Sequence, residues 1–246
     1  MDRITVRVEN LNKRFRVFHE PPLTFQKALY NLLRGPKNWK QLWALRDINF
    51  SLTKSESVGL IGPNASGKTT LLRIIASIYT PTSGRVYVDG KIAAFLELGY
   101  GFHMEFTGIE NLYLYGAVFG LSRCQIKEKI PLVREFSGLN DFLDVPLRQY
   151  SIGMRMRLAF ALAMNINPDI LLIDEALAVG DLSFKEKCIR KINELKKEGK
   201  TLLLVSQYMD EIERLCDRAI LLDKGEIMAM GSAKDVISEY KRRYKI

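Results

Sequence analysis

The 246-residue sequence predicts an α/β fold: a mostly parallel core sheet with helices on both sides, an antiparallel β lobe from the N-terminal strands, and a helical subdomain at about 107–167. Three observations predict it. The segments PDILLIDE (168–175) and TLLLVS (201–206) are almost continuously apolar and of strand length, the pattern of parallel strands covered on both faces. A third apolar run, SVGLI (57–61), passes through GPNASGKTT (62–70) into LLRIIA (71–76), whose spacing is helical, so strand, glycine-rich loop and helix form one unit. Between 107 and 167 the apolar residues keep helical spacing. With 47% hydrophobic residues the chain can bury a substantial core. We read 1–246 as a single domain, with β lobe and core from about 1–106 and 168–246.

Taken in order, ITVRVE (4–9) alternates like a half-buried strand and ends at Asn10. After Pro21 and Pro22, the residues Phe25, Ala28, Leu29, Leu32 and Leu33 recur at helical intervals, with Gln26, Lys27, Asn31 and Arg34 opposite, until Gly35 and Pro36 stop the pattern. This is an amphipathic insertion helix at about 22–35. It interrupts an otherwise antiparallel pair of strands and either packs on its own domain or lies on another surface, protein or membrane. WALRDINFSL (43–52) reads as the second strand and PTSG (81–84) as a turn. RVYVDG (85–90) and IAAFL (92–96) are short strands, the latter running into ELGYGF (97–102), whose two glycines imply a loop with special backbone angles. Helices follow at 108–115, at 125–136 with Ser122 as cap, and at 155–166; Pro131 is expected to kink or divide the middle one. RAILLDKGEIMA (218–229) is a hairpin turning at Lys224 and Gly225, and 233–244 is a basic helix.

Composition narrows the class. No apolar run approaches the ~20 residues needed to cross a bilayer, and MDRITVRV at the start has no signal-peptide hydrophobic segment, so a cytoplasmic protein is expected. Cys124, Cys188 and Cys216 are far apart and lack C-x-x-C spacing, which indicates neither a metal site nor disulfides; they read as buried small apolar residues. A net charge of +9 suits nucleic acid, an anionic membrane surface or plain solubility. The cations are dispersed, and at 185–200 they alternate with Glu186, Glu194 and Glu198 as on a solvated helix face. No recognised nucleic-acid module is present, so no nucleic-acid partner is expected, and proximity to a membrane fits at least as well.

The chemistry starts at residues 62–70. The spacing G-x-x-x-x-G-K-[ST] between a strand and a helix lets backbone N–H groups converge on a phosphate chain, and Gly62 and Gly67 have no side chain to obstruct the approach. Pro63, Asn64, Ala65, Ser66 and Thr70 complete the loop; Lys68 places a positive charge on the outer phosphates and Thr69 offers its hydroxyl to Mg²⁺. Phosphoryl transfer to water also needs a carboxylate at the end of a buried strand, where it can hold Mg²⁺, and Asp174 is placed for that. Glu175 beside it is placed to polarise the attacking water as general base.

The order of these motifs resembles the nucleotide-binding subunit of ATP-binding-cassette transporters over nearly the whole chain. The carriers are the phosphate loop, YSIGM (150–154) heading a helix, the strand ending at Asp174 and Glu175, and ALAVGD (176–181) after it. YSIGM is similar to the family signature LSGGQ and keeps Ser151 and Gly153. The resemblance implies ATP and Mg²⁺ as cofactors and a homodimer packed head to tail, with Ser151 and Gly153 of one copy closing over the ATP held by the other. It also implies Asp181 at the dimer interface and an aromatic residue stacking on adenine: Phe15, with Trp43 or Tyr30 as other candidates. ELGYGF, the Tyr-Ser-x-Gly-Met variant, DEALAVGD and the extra helix look like the ATPases that export O-antigen, teichoic acid or capsule polysaccharide. That subfamily implies an integral membrane permease partner, an undecaprenyl-linked glycan as cargo, and a peripheral place on the cytoplasmic face of the bacterial inner membrane. The 22–35 helix would then sit at the membrane-facing side, and the C-terminal glycan-binding domain of some such exporters is not expected here.

Two positions depart from the family pattern. Where most cassettes have a glutamine after the strand near Phe95, the nearest match is Glu97, which contacts Mg²⁺ and water differently or serves the partner interface. Where the family has serine, histidine, aspartate, this chain has Ser206, Gln207 and Tyr208. Gln207 can hydrogen-bond a γ-phosphate but cannot carry a proton as an imidazole can. Either Gln207 supports hydrolysis that drives export, or the chain is a nucleotide-gated dimerising module with little or no turnover. His19 and His103 are expected at the surface and are no substitutes.

Overall fold

The computed structural model describes residues 3–18, 39–96, 101–174 and 181–245. Strand β1 (Ile4–Phe18) pairs antiparallel with β2 (Trp39–Thr53) on one side and β4 (Ser83–Val88) on the other, giving a three-stranded sheet ordered β2-β1-β4. Among the described residues the second sheet has six strands in the order β5-β6-β7-β3-β8-β9: β5 (Ile92–Phe95), β6 (Ile170–Asp174), β7 (Thr201–Val205), β3 (Ser57–Ile61), β8 (Arg218–Asp223) and β9 (Glu226–Ser232). Every pairing in it is parallel except β8 with β9, which turn at Lys224 and Gly225.

The core strands are buried on both faces, and their side chains alternate between two cores as a pleat requires. Leu171, Ile173, Leu202 and Leu204 join one apolar cluster; Ile170, Leu172, Leu203 and Val205 join the other. The second cluster is closed by Val6, Val8, Leu45 and Leu52 of the antiparallel lobe and by Leu71, Leu72 and Ile75 of helix α1 (Lys68–Ile75). The first is covered by α5 (Leu182–Lys197) through Phe184, Cys188 and Ile192, by α6 (Met209–Leu215), and by α7 (Ala233–Tyr244) through Val236 and Ile237.

The helical subdomain comprises α2 (Gly108–Val118), α3 (Arg123–Ser137) and α4 (Ile152–Asn165). Thr107 with Glu110, and Ser122 with Gln125, form reciprocal capping boxes at the first two. Helix α4 is buried on all sides from Leu158 to Met164 because it serves two cores. Leu158, Ala159 and Leu162 pack with Leu112, Ile126 and Val133 of the subdomain, while Phe160 reaches the sheet and meets Phe95 at 5.1 Å and Phe184 at 6.1 Å between ring centroids.

Four expectations need correction. The first strand does not stop at Asn10: Asn10 takes the left-handed φ of 47°, which asparagine tolerates, and the strand continues through bulges to Phe18. The residues before Gly90 are in strand earlier than expected, from Ser83, because Gly84 lies against Asn10, where a Cβ would come within 2.3 Å of its carbonyl oxygen. Pro131 does not divide its helix, which runs unbroken from Arg123 to Ser137: Pro131 is exposed, and Ile126 and Val133 anchor both sides in the core. Of the cysteines, Cys188 and Cys216 are buried, which pushes both thiols up to about 12, but Cys124 is exposed on α3. The 22–35 helix lies outside the described residues.

Phe160 joins the subdomain to the sheet, so Phe160→Ala is expected to cost about 3–5 kcal/mol of stability, read as a lower urea midpoint.

Candidate functional site

The loop after β3 curls back on itself and leads into α1, with Gly67 as the left-handed N-cap at φ 109°. Its two glycines answer to neighbours as well as to any phosphate. A Cβ on Gly62, at φ 146°, would sit 1.9 Å from the Leu222 carbonyl oxygen of β8, and one on Gly67 would sit 2.6 Å from the Ala44 carbonyl oxygen of β2. The β8–β9 turn braces the same loop, since the Gly225 N–H donates to the Ser66 carbonyl at 2.9 Å and the Gly225 carbonyl accepts from the Arg46 N–H at 2.7 Å. Sequence reasoning found the turn but had no signal for its contact with the loop. Lys68 is buried inside the curl, its ammonium donating to the Gly62 and Pro63 carbonyls at 2.8 Å each. These carbonyls hold the cation at the helix N-terminus, where the first-turn N–H groups and the dipole favour an anion.

Asp174 ends β6 and faces this loop. Burial holds its carboxyl above the ordinary carboxylate range, while a hydrogen bond from Thr69 and the charges of Lys68 and Arg73 pull the other way. A hydroxyl beside a half-desolvated carboxylate is a hard oxygen pair that a cation would neutralise. Among the described residues no cluster of three or more His, Cys, Asp or Glu is placed to hold a metal. The pair therefore fits Mg²⁺, which takes one or two protein oxygens and completes its shell with water and phosphate, better than an ion needing an all-protein cage.

Around the loop lies a cleft of about 580 Å³ lined by Phe15, Leu42, Trp43, Ala44, Asn64, Ala65, Ser66, Gly67, Lys68, Thr69, Thr70, Leu96 and Asp174. Phe15 and Leu42, paired across β1 and β2, reach its wall together, and Trp43, next to Leu42 in the chain and paired with Arg14, lines it as well. Phe15 is half-buried, its edge set against Tyr79 at 5.8 Å and the Lys13 ammonium 4.9 Å from its ring centre. Tyr30, the other aromatic candidate, lies outside the described residues, as do Glu97 and Glu175. Leu42 and Leu96 line the cleft without any sequence signal that set them apart from other apolar strand residues.

Among the described site residues, Ser151, Gly153, Asp181 and Gln207 are not on that wall, nor are Gly62 and Pro63 at the start of the loop. Ser151 is the N-cap of α4, its Oγ accepting from the Met154 N–H at 3.2 Å, and both Ser151 and Ile152 are exposed, Ile152 at 69%. A Cβ on Gly153 would meet nothing but Ser151 Oγ at 3.9 Å, so nothing described within the chain requires glycine there. Asp181 caps α5 through the Phe184 N–H at 2.8 Å and pairs with Arg157 of α4; the Phe184 N–H holds its carboxyl below the usual range, and Arg157 adds to this. Gln207 is exposed between β7 and α6. His103 is exposed as expected and stacks on Phe106 at 4.2 Å; His19 lies outside the described residues.

Residues 45–178 match the family model described as ABC transporter. The chain is 42% identical to the O-antigen export system ATP-binding protein RfbB of Klebsiella pneumoniae over 96% of this chain and 97% of the relative. The chain belongs to the ABC transporter family. It is 42% identical to the RfbB of Myxococcus xanthus over 98% of this chain but 56% of that relative, and 38% identical to the teichoic acids export ATP-binding protein TagH of Bacillus cereus over 96% of this chain but 42% of that relative, so it spans about half the length of these two. A dimeric ATP-binding cassette in a post-hydrolysis state with ADP and Pi overlays 93% of this chain with a TM-score of 0.75 at 23% identity, which concerns the fold alone.

Within the family the chain is an ABC-type ATPase that binds nucleotide. The described residues include no helix long and apolar enough to cross a membrane. The raised Asp174 carboxyl makes a prediction for the nucleotide-free protein. The folded chain holds that proton more tightly than the unfolded chain, so its contribution to stability is lost as pH rises from the ordinary carboxylate range through the raised value. Asp174→Asn removes the buried charge. Its thermal midpoint by calorimetry is expected to exceed the parent's at neutral pH and to converge with it in acid; a lower midpoint at neutral pH would contradict the assignment.

Proposed function

We propose that this chain hydrolyses ATP to drive export of a lipid-linked polysaccharide, working as a homodimer beneath an integral membrane permease at the cytoplasmic face of the bacterial inner membrane. The observation that carries the reading is the likeness, over nearly the full length of both chains, to a relative named for O-antigen export.

In this reading residues 62–70 wrap the phosphate chain, and Lys68 exchanges the Gly62 and Pro63 carbonyls for phosphate oxygens. Thr69 and Asp174, with Glu97, hold Mg²⁺, which supplies charge neutralisation at the outer phosphates. Glu175 follows directly on Asp174 at the strand's end and acts as general base on the attacking water. Phe15 stacks on adenine with Trp43 beside it, since both reach the cleft. Ser151 and Gly153 act on the ATP of a second copy, which is supported by their exposure and by the open space at Gly153; Asp181 then lies at the dimer interface. Gln207 hydrogen-bonds the γ-phosphate.

Gln207 also favours a second reading, a nucleotide-gated module that dimerises with little turnover, because an amide cannot relay a proton. The two separate on Gln207→His. Unchanged turnover supports the leading reading, and a large gain supports the gated module. Purified with its permease, the chain is expected to hydrolyse ATP, and Lys68→Ala and Glu175→Gln are each expected to lose about a hundredfold or more in turnover. A Lys68→Ala chain mixed equally with a Ser151→Arg chain, each inactive alone, is expected to regain about a quarter of the parent rate, because half of the dimers then hold one intact composite site. No recovery in the mixture would exclude a site shared between copies. Cells lacking the chain are expected to accumulate lipid-linked glycan on the inner leaflet.

A further inference from the structure

An ion pair that is buried on its carboxylate side and lies outside the machinery assigned above bears on Gln207. Glu211 of α6 is 7% exposed, and its Oε2 accepts a hydrogen bond from Ser206 Oγ at 2.6 Å while Oε1 faces the Lys185 ammonium at 2.5 Å. Among the described residues Oε1 accepts no other bond, so Lys185 alone balances this side of the carboxylate. Ser206 Oγ in turn accepts the Tyr208 N–H at 3.0 Å, and the Lys185 ammonium lies 5.1 Å from the Tyr208 ring centre. Both neighbours of Gln207 are thus pinned to one ion pair.

Lys185 belongs to the first turn of α5, and its own N–H donates to the Asp181 carbonyl at 3.0 Å. The contacts therefore run without a gap from Asp181 at the surface, through Lys185 and Glu211, to Ser206 and Tyr208. Apolar side chains could hold α6 against α5 at least as well, since burying a charge pair is seldom stabilising. The pair supplies instead an ionised acceptor that fixes the Ser206 hydroxyl, and with it the loop, in one orientation. A second pair between the same helices, Arg214 with Glu186 at 3.7 Å, is about half exposed and touches neither Ser206 nor Tyr208.

We propose that Lys185 and Glu211 are positioning residues that tie the Gln207 loop to the first turn of α5, so that displacement of the Asp181 surface is transmitted to Gln207. This rests on the reading of Gln207 as a γ-phosphate contact.

The test compares Lys185→Met, Lys185→Arg, Lys185→Met with Glu211→Gln, Arg214→Ala and Gln207→Ala in the full chain. The readouts are amide exchange at Tyr208, thermal midpoint, and ATP turnover against ATP concentration. Removing both charges avoids an unpaired buried carboxylate, so the double variant keeps its fold. It is expected to exchange the Tyr208 amide faster and to lose roughly tenfold or more in kcat with KM for ATP little changed, the mark of a misplaced group rather than lost binding. Lys185→Arg restores both readouts and Arg214→Ala leaves them within about twofold. Tyr208 exchange and kcat at parent values in a folded double variant would overturn the proposal. If Gln207→Ala slows turnover while the Lys185 variants do not, only this proposal fails; if Gln207→Ala changes nothing, the reading of Gln207 fails and takes the proposal with it.

Discussion

The curl of residues 62–67 depends on backbone packed against it from outside the loop. Leu222 and Ala44 present carbonyl oxygens where Gly62 and Gly67 would carry side chains, and the Gly225 N–H closes on Ser66. A helix N-terminus attracts anions wherever it occurs, but a closed ring of N–H groups needs φ values that only glycine adopts without strain. The sheet order supplies the support: β3 lies between β7 and β8, so the loop leaves the middle of the sheet with the β8–β9 turn beside it. The loop is therefore shaped before any ligand arrives, and Lys68 is kept buried on its carbonyls until it has something better to bind.

The same economy of placement holds the wider site together. Asp174 reaches the loop because β6 runs parallel to β7, which runs parallel to β3, so three strands end on one edge. Phe15 and Trp43 arrive from the other sheet, on adjacent strands that cover the core containing α1. Helix α4 fixes the remaining distance: its apolar girth lets Phe160 lock to Phe95 and Phe184 while its first turn stays at the surface with Ser151. Arg157 then joins α4 to the cap of α5 at Asp181.

What could be read from the sequence was whatever a single segment encodes. The strands ending at Asp174 and Ser206 are apolar throughout because both faces are covered, and the loop pattern fixes its own neighbours, so fold class and phosphate cleft were legible. What depends on a partner segment was not. Asn10 reads as a turn from its own chemistry, but it sits in a bulge because β2 and β4 pair past it. Pro131 reads as a helix break, yet packing at Ile126 and Val133 outweighs one lost hydrogen bond. From the sequence Gly67 answers to phosphate alone, since nothing in 62–70 announces the Ala44 carbonyl. Cys124 looks like the other two cysteines until the face of α3 is known.

The glycines separate what this chain completes by itself from what it leaves open. Gly62, Gly67, Gly84 and Gly225 each have a backbone neighbour of the same chain closer than a Cβ allows, so their residue type is explained from within. Gly153 has no such neighbour; its φ is not left-handed, and alanine would sit in open space at the start of a helix, where it raises helix propensity. On intramolecular grounds Gly153 is the weaker choice, and it stands next to the exposed Ser151 hydroxyl and N-terminal turn of α4. The proposed function gives the missing side chain a role: a terminal phosphate held by a second copy has the charge and the size that a helix N-terminus with an uncovered backbone accepts.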